Sequence, residues 1–294
     1  MSDHGRLPDR PRLYHYEVNY NEGWNVYNAQ NVARHVPLYP RQYGWTTVNY
    51  PALSFHVVAY LSRFTHSYLL TGRLLSLVSL LASCAFVGLV IKNRTRDTAA
   101  AFFGAFFCLA LFCMEAPGFV GADDPQMFAQ IFFLGGFLLY LSAPPTLACI
   151  GATAFLFALS GNIKHNLLDF ALAAFIDLWI VSRRKAFQFL LFSAVLVAIS
   201  VVTTSKVDGA FFLSNMLSLR SYSLVDVLRD FALYYGPILL PFLDAFIWAV
   251  KAQGDPSSRP LSLLFLFHSL LGCYSPVAPE FRSTPTSAIF SRSR

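Results

Sequence analysis

The stretch YLLTGRLLSLVSLLASCAFVGLVI, residues 68–91, runs directly into the basic segment Lys92-Asn93-Arg94-Thr95-Arg96. An α-helix needs about 20 mostly apolar residues to cross the hydrocarbon core of a bilayer, and short Lys/Arg-rich loops stay on the cytoplasmic side. This stretch therefore predicts a membrane-spanning helix that ends in the cytoplasm. Further apolar runs follow at roughly 98–114, 126–141, 145–160, 167–182, 186–204, 231–250 and 261–273. They are continuous rather than alternating, which favours helices over the strands of a barrel. The shorter runs extend into flanking polar residues or cross a thinned bilayer. The expected fold is all-α: a polytopic membrane helical bundle of about eight transmembrane helices, with an external amphipathic helix in the N-terminal segment.

The gaps between the runs alternate in character. One set is basic: Lys92, Arg94 and Arg96; then Arg183, Arg184 and Lys185; then Lys251 and Arg259. The other set is acidic or mixed: Asp123 and Asp124; Lys164 and His165; the stretch from Asp208 to Asp230. With the basic set in the cytoplasm, the second set shares the extracytoplasmic face, and so do residues 1–67.

Composition agrees. The chain is 55% hydrophobic and 13% charged, with a mean hydropathy of +0.50, whereas a soluble domain carries about 25% charge. The net charge of +6 is read as an orientation signal and not as affinity for nucleic acid. The five cysteines lie in or beside apolar runs without metal-ligand spacing, so no disulfide and no structural zinc is predicted.

Three segments follow. Residues 1–67 form an external N-terminal segment, with PALSFHVVAYLSRF at 51–64 as its interfacial helix. Residues 68–272 form the transmembrane helical domain. Residues 273–294 are an atypical, disordered tail rich in Ser, Pro, Thr and Arg. An external polar N-terminus with no helix before it predicts that a first transmembrane helix is missing. Codons that encode Ser283 through Thr286 can read Val-Asp-Ala-Asn in a shifted frame, so the tail is expected to be out of frame and the chain truncated.

Four polar constellations fall on the external side. Tyr20-Asn21-Glu22-Gly23-Trp24-Asn25, followed by Tyr50-Pro51-Ala52-Leu53, sets Glu22 among aromatic side chains. There it is either a general base, if burial raises its pKa, or a solvated acid, with Glu17 as the competing acid. Gly121-Ala122-Asp123-Asp124-Pro125-Gln126 opens a helix that Asp124 can cap and Pro125 can begin. Capping accounts for one aspartate; the adjacent pair points to substrate or donor handling. Asn162-Ile163-Lys164-His165-Asn166 puts a cation outside, where it either snorkels or meets a lipid phosphate. The stretch from Lys206 to Asp230, with Asp208, Arg220, Tyr222, Asp226 and Arg229, reads mostly as a solvated connector with a surface helix near 223–230. Asp169, Asp177 and Asp244 lie inside apolar runs, where acids are costly and usually paired or functional. Asp169 is close enough to Lys164 to share its site.

Asn21-Glu22-Gly23-Trp24-Asn25 with the later Tyr50-Pro51-Ala52-Leu53, then Asp123-Asp124-Pro125-Gln126, then Lys164-His165-Asn166-Leu167 together resemble the bacterial GT-C-type integral-membrane glycosyltransferases. This superfamily includes the protein O-mannosyltransferases and the lipid A aminoarabinose transferase, and the resemblance covers roughly residues 14–272. It implies transfer of a sugar from a polyprenyl-phosphate donor to a glycan, lipid or protein acceptor at the extracytoplasmic face of the bacterial plasma membrane. It implies Glu22 as catalytic base, at a motif that reads Asp-Glu in the family and Asn21-Glu22 here. It implies Asp123 and Asp124 as the acids of the second external loop. Lys164 and His165, with Arg220, would hold the donor phosphate. It calls for no organic cofactor and leaves a divalent metal open. Two other readings compete. One is a transporter or lipid flippase, which predicts internal repeats or charges at the membrane midplane. The other is an inactive fragment of a transferase.

Overall fold

The computed structural model describes residues 17, 20–41, 48–165, 167, 169–217, 247 and 251. Contacts divide the chain into two units, Met1–Ser218 and Leu219–Arg294, and the architecture below belongs to the first. Every regular element among the described residues is helical: α1 Tyr20–Ala33, α2 Leu53–Thr65, α3 Tyr68–Thr95, α4 Thr98–Glu115, a 3₁₀ turn Pro117–Phe119, α5 Pro125–Ser142, α6 Leu147–Gly161, α7 Asp169–Val181, α8 Arg183–Val207 and α9 Phe212–Met216.

The local chemistry explains these boundaries. Ser67 caps α3 by accepting from the Leu70 N–H, Asp97 caps α4 through Ala99 and Ala100, and Thr146 caps α6 through Cys149. Each such cap stabilises its helix by roughly 1 kcal/mol. Asp124 caps α5, whose first residue is Pro125, as the sequence predicts.

The first six apolar runs coincide with α3 to α8. Of these, α3, α5 and α8 are long and apolar enough to cross a membrane; shorter apolar stretches are Thr98–Met114 of α4 and the whole of α6. The 13 residues of α7 rise about 20 Å, short of a hydrocarbon core about 30 Å thick. Among the described residues the structure thus gives three helices long and apolar enough to span, where the runs of the whole chain predict about eight. The last two runs, 231–250 and 261–273, lie outside the described residues except for position 247, which is helical. The outer surface fits lipid contact. Phe102, Phe103, Phe106 and Phe107 are exposed on α4, and α8 buries only Ala186 and Phe189. Soluble monomers rarely expose apolar surface on this scale.

Inside, α3 packs on α4 and α5, α5 on α6, and α8 on both α6 and α7. The buried face of α3 is mostly small residues, Thr71, Gly72, Ser76, Ser79, Ser83 and Gly88, with Leu80 and Cys84 among them. Their three-to-four spacing puts them on one side and lets helix backbones approach closely. A Cβ at Gly88 would sit 2.8 Å from the Ala101 carbonyl oxygen on α4. Between α5, α6 and α7 the space is filled by rings: Phe133 against Phe157 at 5.8 Å and Phe137 against Phe170 at 4.9 Å between centroids.

Over one end of this bundle lies a cap built from α1, α2 and the segment between them. Leu38, Tyr39, Val48, Ala52, Phe55 and Phe212 form its core, and Trp24 meets Tyr50 and Phe55 edge-on. The expected helix at 51–64 forms as α2 and buries Phe55, Val58 and Ala59 against the protein. Residues 20–33, which the sequence leaves between a catalytic segment and a solvated one, are helical and packed on α2 and α3.

Replacing Gly88 by Val is expected to push α4 off α3 and cost about 1–3 kcal/mol, the usual penalty of overpacking. Gly135→Ala is the control, because a Cβ there meets the Phe86 ring at an ordinary 3.5 Å. Unfolding of both variants in mixed micelles checks the difference.

Candidate functional site

The cap meets the bundle at a buried ion pair. Glu22, in the first turn of α1, is 0% exposed. Arg73, in the second turn of α3, reaches it with a fork: Nε donates to Oε1 and Nη2 to Oε2, both at 2.8 Å. This two-point geometry is the strongest form of carboxylate pairing. Oε1 also accepts the backbone N–H of Asp123 at 3.0 Å. On the other side of that residue, Asn25 Nδ2 donates to the Asp123 carbonyl at 2.5 Å. One face of α1 therefore holds the main chain of the α4–α5 connection by both its donor and its acceptor.

The two adjacent aspartates have separate surroundings. Asp123 is 5% exposed and lies on Gly72, where a Cβ would come within 2.1 Å of its Cγ. Only glycine leaves room for that carboxyl. Asp123 Oδ2 is buried without a hydrogen-bond partner. Burial above all, then the negative charges of Glu22 and Asp124, push its carboxyl well above the usual carboxylate range, while Arg73 pulls it back. Asp124 accepts the Gln126 N–H at 2.7 Å as the α5 cap and pairs with Lys164 Nζ at 3.3 Å. Lys164, 8% exposed, also sits 5.1 Å from the centroid of the Tyr50 ring.

Glu22, Asp123, Asp124 and Lys164, up to 142 positions apart by their numbers, thus form one connected group with Arg73. His165 follows Lys164 with an exposed side chain, and Glu17 is exposed. Arg220, the helix expected near 223–230, Asp244 and the tail 273–294 lie outside the described residues. Asp169 is buried at the start of α7; Asp177 accepts from the Tyr140 hydroxyl at 2.5 Å and ties α7 to α5. Asp208 is not part of a solvated connector. It is buried at the end of α8, its carbonyl accepts the Tyr39 N–H at 2.8 Å, and its Oδ1 meets His56 Nε2 at 2.8 Å. Tyr39 in turn donates its hydroxyl to the Tyr50 carbonyl at 2.7 Å. Burial and the nearby Asp208 push that phenol far up, so it stays a donor.

The opposite end of the bundle has a different character. Asn93 Nδ2 donates to Ser142 Oγ at 2.7 Å, joining the last turns of α3 and α5, and Arg183 lies 5.4 Å from the Trp179 ring centroid. From Arg73 to Asn93 the α3 axis rises about 30 Å, one hydrocarbon thickness. Among the described residues no three His, Cys, Asp or Glu side chains are placed to hold a metal ion together.

Reading the sequence misses Arg73 and Gly72. Arg73 had a signal: a guanidinium inside an apolar run is costly and needs a partner. Gly72 had none, because its role depends on a contact from residue 123.

Glu22→Gln is expected to cost up to about 3 kcal/mol, since it leaves the half-buried Arg73 beside a neutral group, and the joint change Glu22→Leu with Arg73→Met to recover most of that loss. Denaturant unfolding of the two variants beside the wild type tests the pair. Asp123 gives a pH signature. Its pKa is higher folded than unfolded, so its contribution is greatest below about pH 3.9 and is lost as pH rises through the folded value. Asp123→Asn should flatten this decline and be more stable than the wild type at neutral pH; melting curves from pH 4 to 8 measure it.

Comparison with protein-family models, curated proteins and solved structures finds no match to this chain.

Proposed function

We propose that this chain belongs with the GT-C-type glycosyltransferases and moves a sugar from a polyprenyl-phosphate donor to an acceptor at the extracytoplasmic face of the bacterial plasma membrane. One observation carries the reading: Glu22, Asp123, Asp124 and Lys164, the residues on which the resemblance rests, are linked into one group at one end of the helices. The basic connections lie at the other end, which supports an outward-facing cluster. Polyprenyl chains would run along the apolar helix surfaces.

The geometry divides the roles. Inversion at an anomeric carbon needs a base for the acceptor hydroxyl and a cation for the departing phosphate. Glu22 and Asp123 are neighbouring carboxyls with Arg73 close to both. Glu22 is held by the guanidinium fork, and Asp123 is the member whose pKa is pushed upward, so we assign proton acceptance to this pair with Asp123 as its titrating partner. Lys164 is assigned the phosphate, which would replace Asp124 as its counter-ion; Arg220 and His165 remain proposed helpers. A flippase or transporter is disfavoured by the clustering of charge at one end, not at mid-membrane.

The assay uses the purified full chain with radiolabelled polyprenyl-phosphate sugars. Loss of the charge-assisted contact in Lys164→Ala should raise the donor KM about ten- to a hundredfold with little change in kcat, as expected for roughly 1.5–3 kcal/mol of ground-state binding. Asp123→Asn should instead lower kcat. Absence of turnover by the wild type with every donor, combined with movement of the lipid across proteoliposomes, would replace this reading with the flippase.

A further inference from the structure

A second feature lies away from the carboxylate cluster. Between α2, α6 and α8 runs a groove of about 410 Å³, at the lower end of the roughly 300–1,000 Å³ usual for small-molecule sites. Its lining is graded along α8. One end is apolar, with Phe155, Leu159, Leu196 and Ile199; the other carries Ser200, Thr204, His56 and Asp208. From Leu196 to Asp208 the helix rises about 18 Å. Phe155, Ile199 and Val207 are exposed at its flank, so among the described residues the groove is open on the side where lipid would lie. Ser200 Oγ donates to Asn162 Oδ1 and ties α8 to α6 in the groove wall.

The polar end has a defined chemistry. Asp208 is an acceptor, so the 2.8 Å contact to His56 Nε2 fixes the proton on that nitrogen in the neutral ring. Nδ1 is then left as an acceptor, on a side chain that is 37% exposed. Such an atom receives an O–H or N–H. The lining holds a carboxylate and no Lys or Arg, which disfavours a phosphate head. A graded groove with an acceptor at its outer end matches a molecule with one hydrocarbon chain and an uncharged hydroxyl head.

We propose that this groove binds a single-chain, hydroxyl-headed amphiphile, with its chain along Leu159, Leu196 and Ile199 and its hydroxyl donated to His56. The site is independent of sugar transfer and stands whether or not the chain is a glycosyltransferase.

Three photoreactive probes with the same diazirine-bearing chain test it on the purified full chain in nanodiscs: a monoacylglycerol, the corresponding methyl ester and the lysophosphatidate. The monoacylglycerol should label residues 155–162 and 196–207 saturably. His56→Ala should weaken its half-saturation about tenfold, the loss of one hydrogen bond, and His56→Gln, which keeps an acceptor, should restore most of it. The ester should label weakly and equally in wild type and His56→Ala. Ile199→Trp, at an exposed position that folding tolerates, should block labelling by filling the apolar end, and it decides the matter if His56→Ala does not fold. Equal labelling by all three probes, indifferent to His56, would mean ordinary surrounding lipid and would overturn the proposal. Preference for the lysophosphatidate, or no labelling of these two segments, would overturn it as well.

Discussion

The architecture depends on one buried ion pair. Removing Glu22 and Arg73 from water is expensive, and the fork returns that cost only because geometry and neighbouring donors are both in place. The Asp123 N–H supplies one such donor, so the pair cannot form fully until the α4–α5 connection has closed over it. Three segments far apart in sequence are thereby made mutually dependent: α1, the start of α3 and the loop before α5. An apolar contact would hold them together as well, but would not fix their relative positions as narrowly.

Everything polar at this end is arranged in layers around that pair. Asp124 and Lys164 form the next layer, and Tyr50 sits where the Lys164 ammonium, the Trp24 edge and the Tyr39 hydroxyl converge. Through Tyr39 the layer reaches Asp208 and His56. The carboxylate cluster and the graded groove are thus connected by contacts but differ in chemistry: one is rich in charge and closed, the other mostly apolar and open.

The helices were legible from composition alone. Apolar runs and their basic punctuation predict α3 to α8 within a few residues, because lipid leaves the backbone no alternative to internal hydrogen bonding. The capping role of Asp124 was equally legible, since a cap is a local matter. What lay beyond reading was long-range. α1 has weak amphipathic character and is helical because of what it packs against, and Glu22 could be marked as an acid in an aromatic setting but not as the partner of Arg73. The two aspartates looked like one repelling unit; separate burial on Gly72 and pairing with Lys164 resolve the repulsion. Asp208 reads as solvated because its partners, His56 and Tyr39, lie 152 and 169 positions earlier.

The loop around residue 123 is anchored by its peptide groups, one bonded to Glu22 and the other to Asn25. Its path is therefore held by the main chain, and a side chain of aspartate's size fits at 123 only while Gly72 stays bare beneath it. Shape and reactivity are decoupled at this point: the scaffold specifies where an atom will be presented, and the identity of that atom can be varied without redrawing the scaffold.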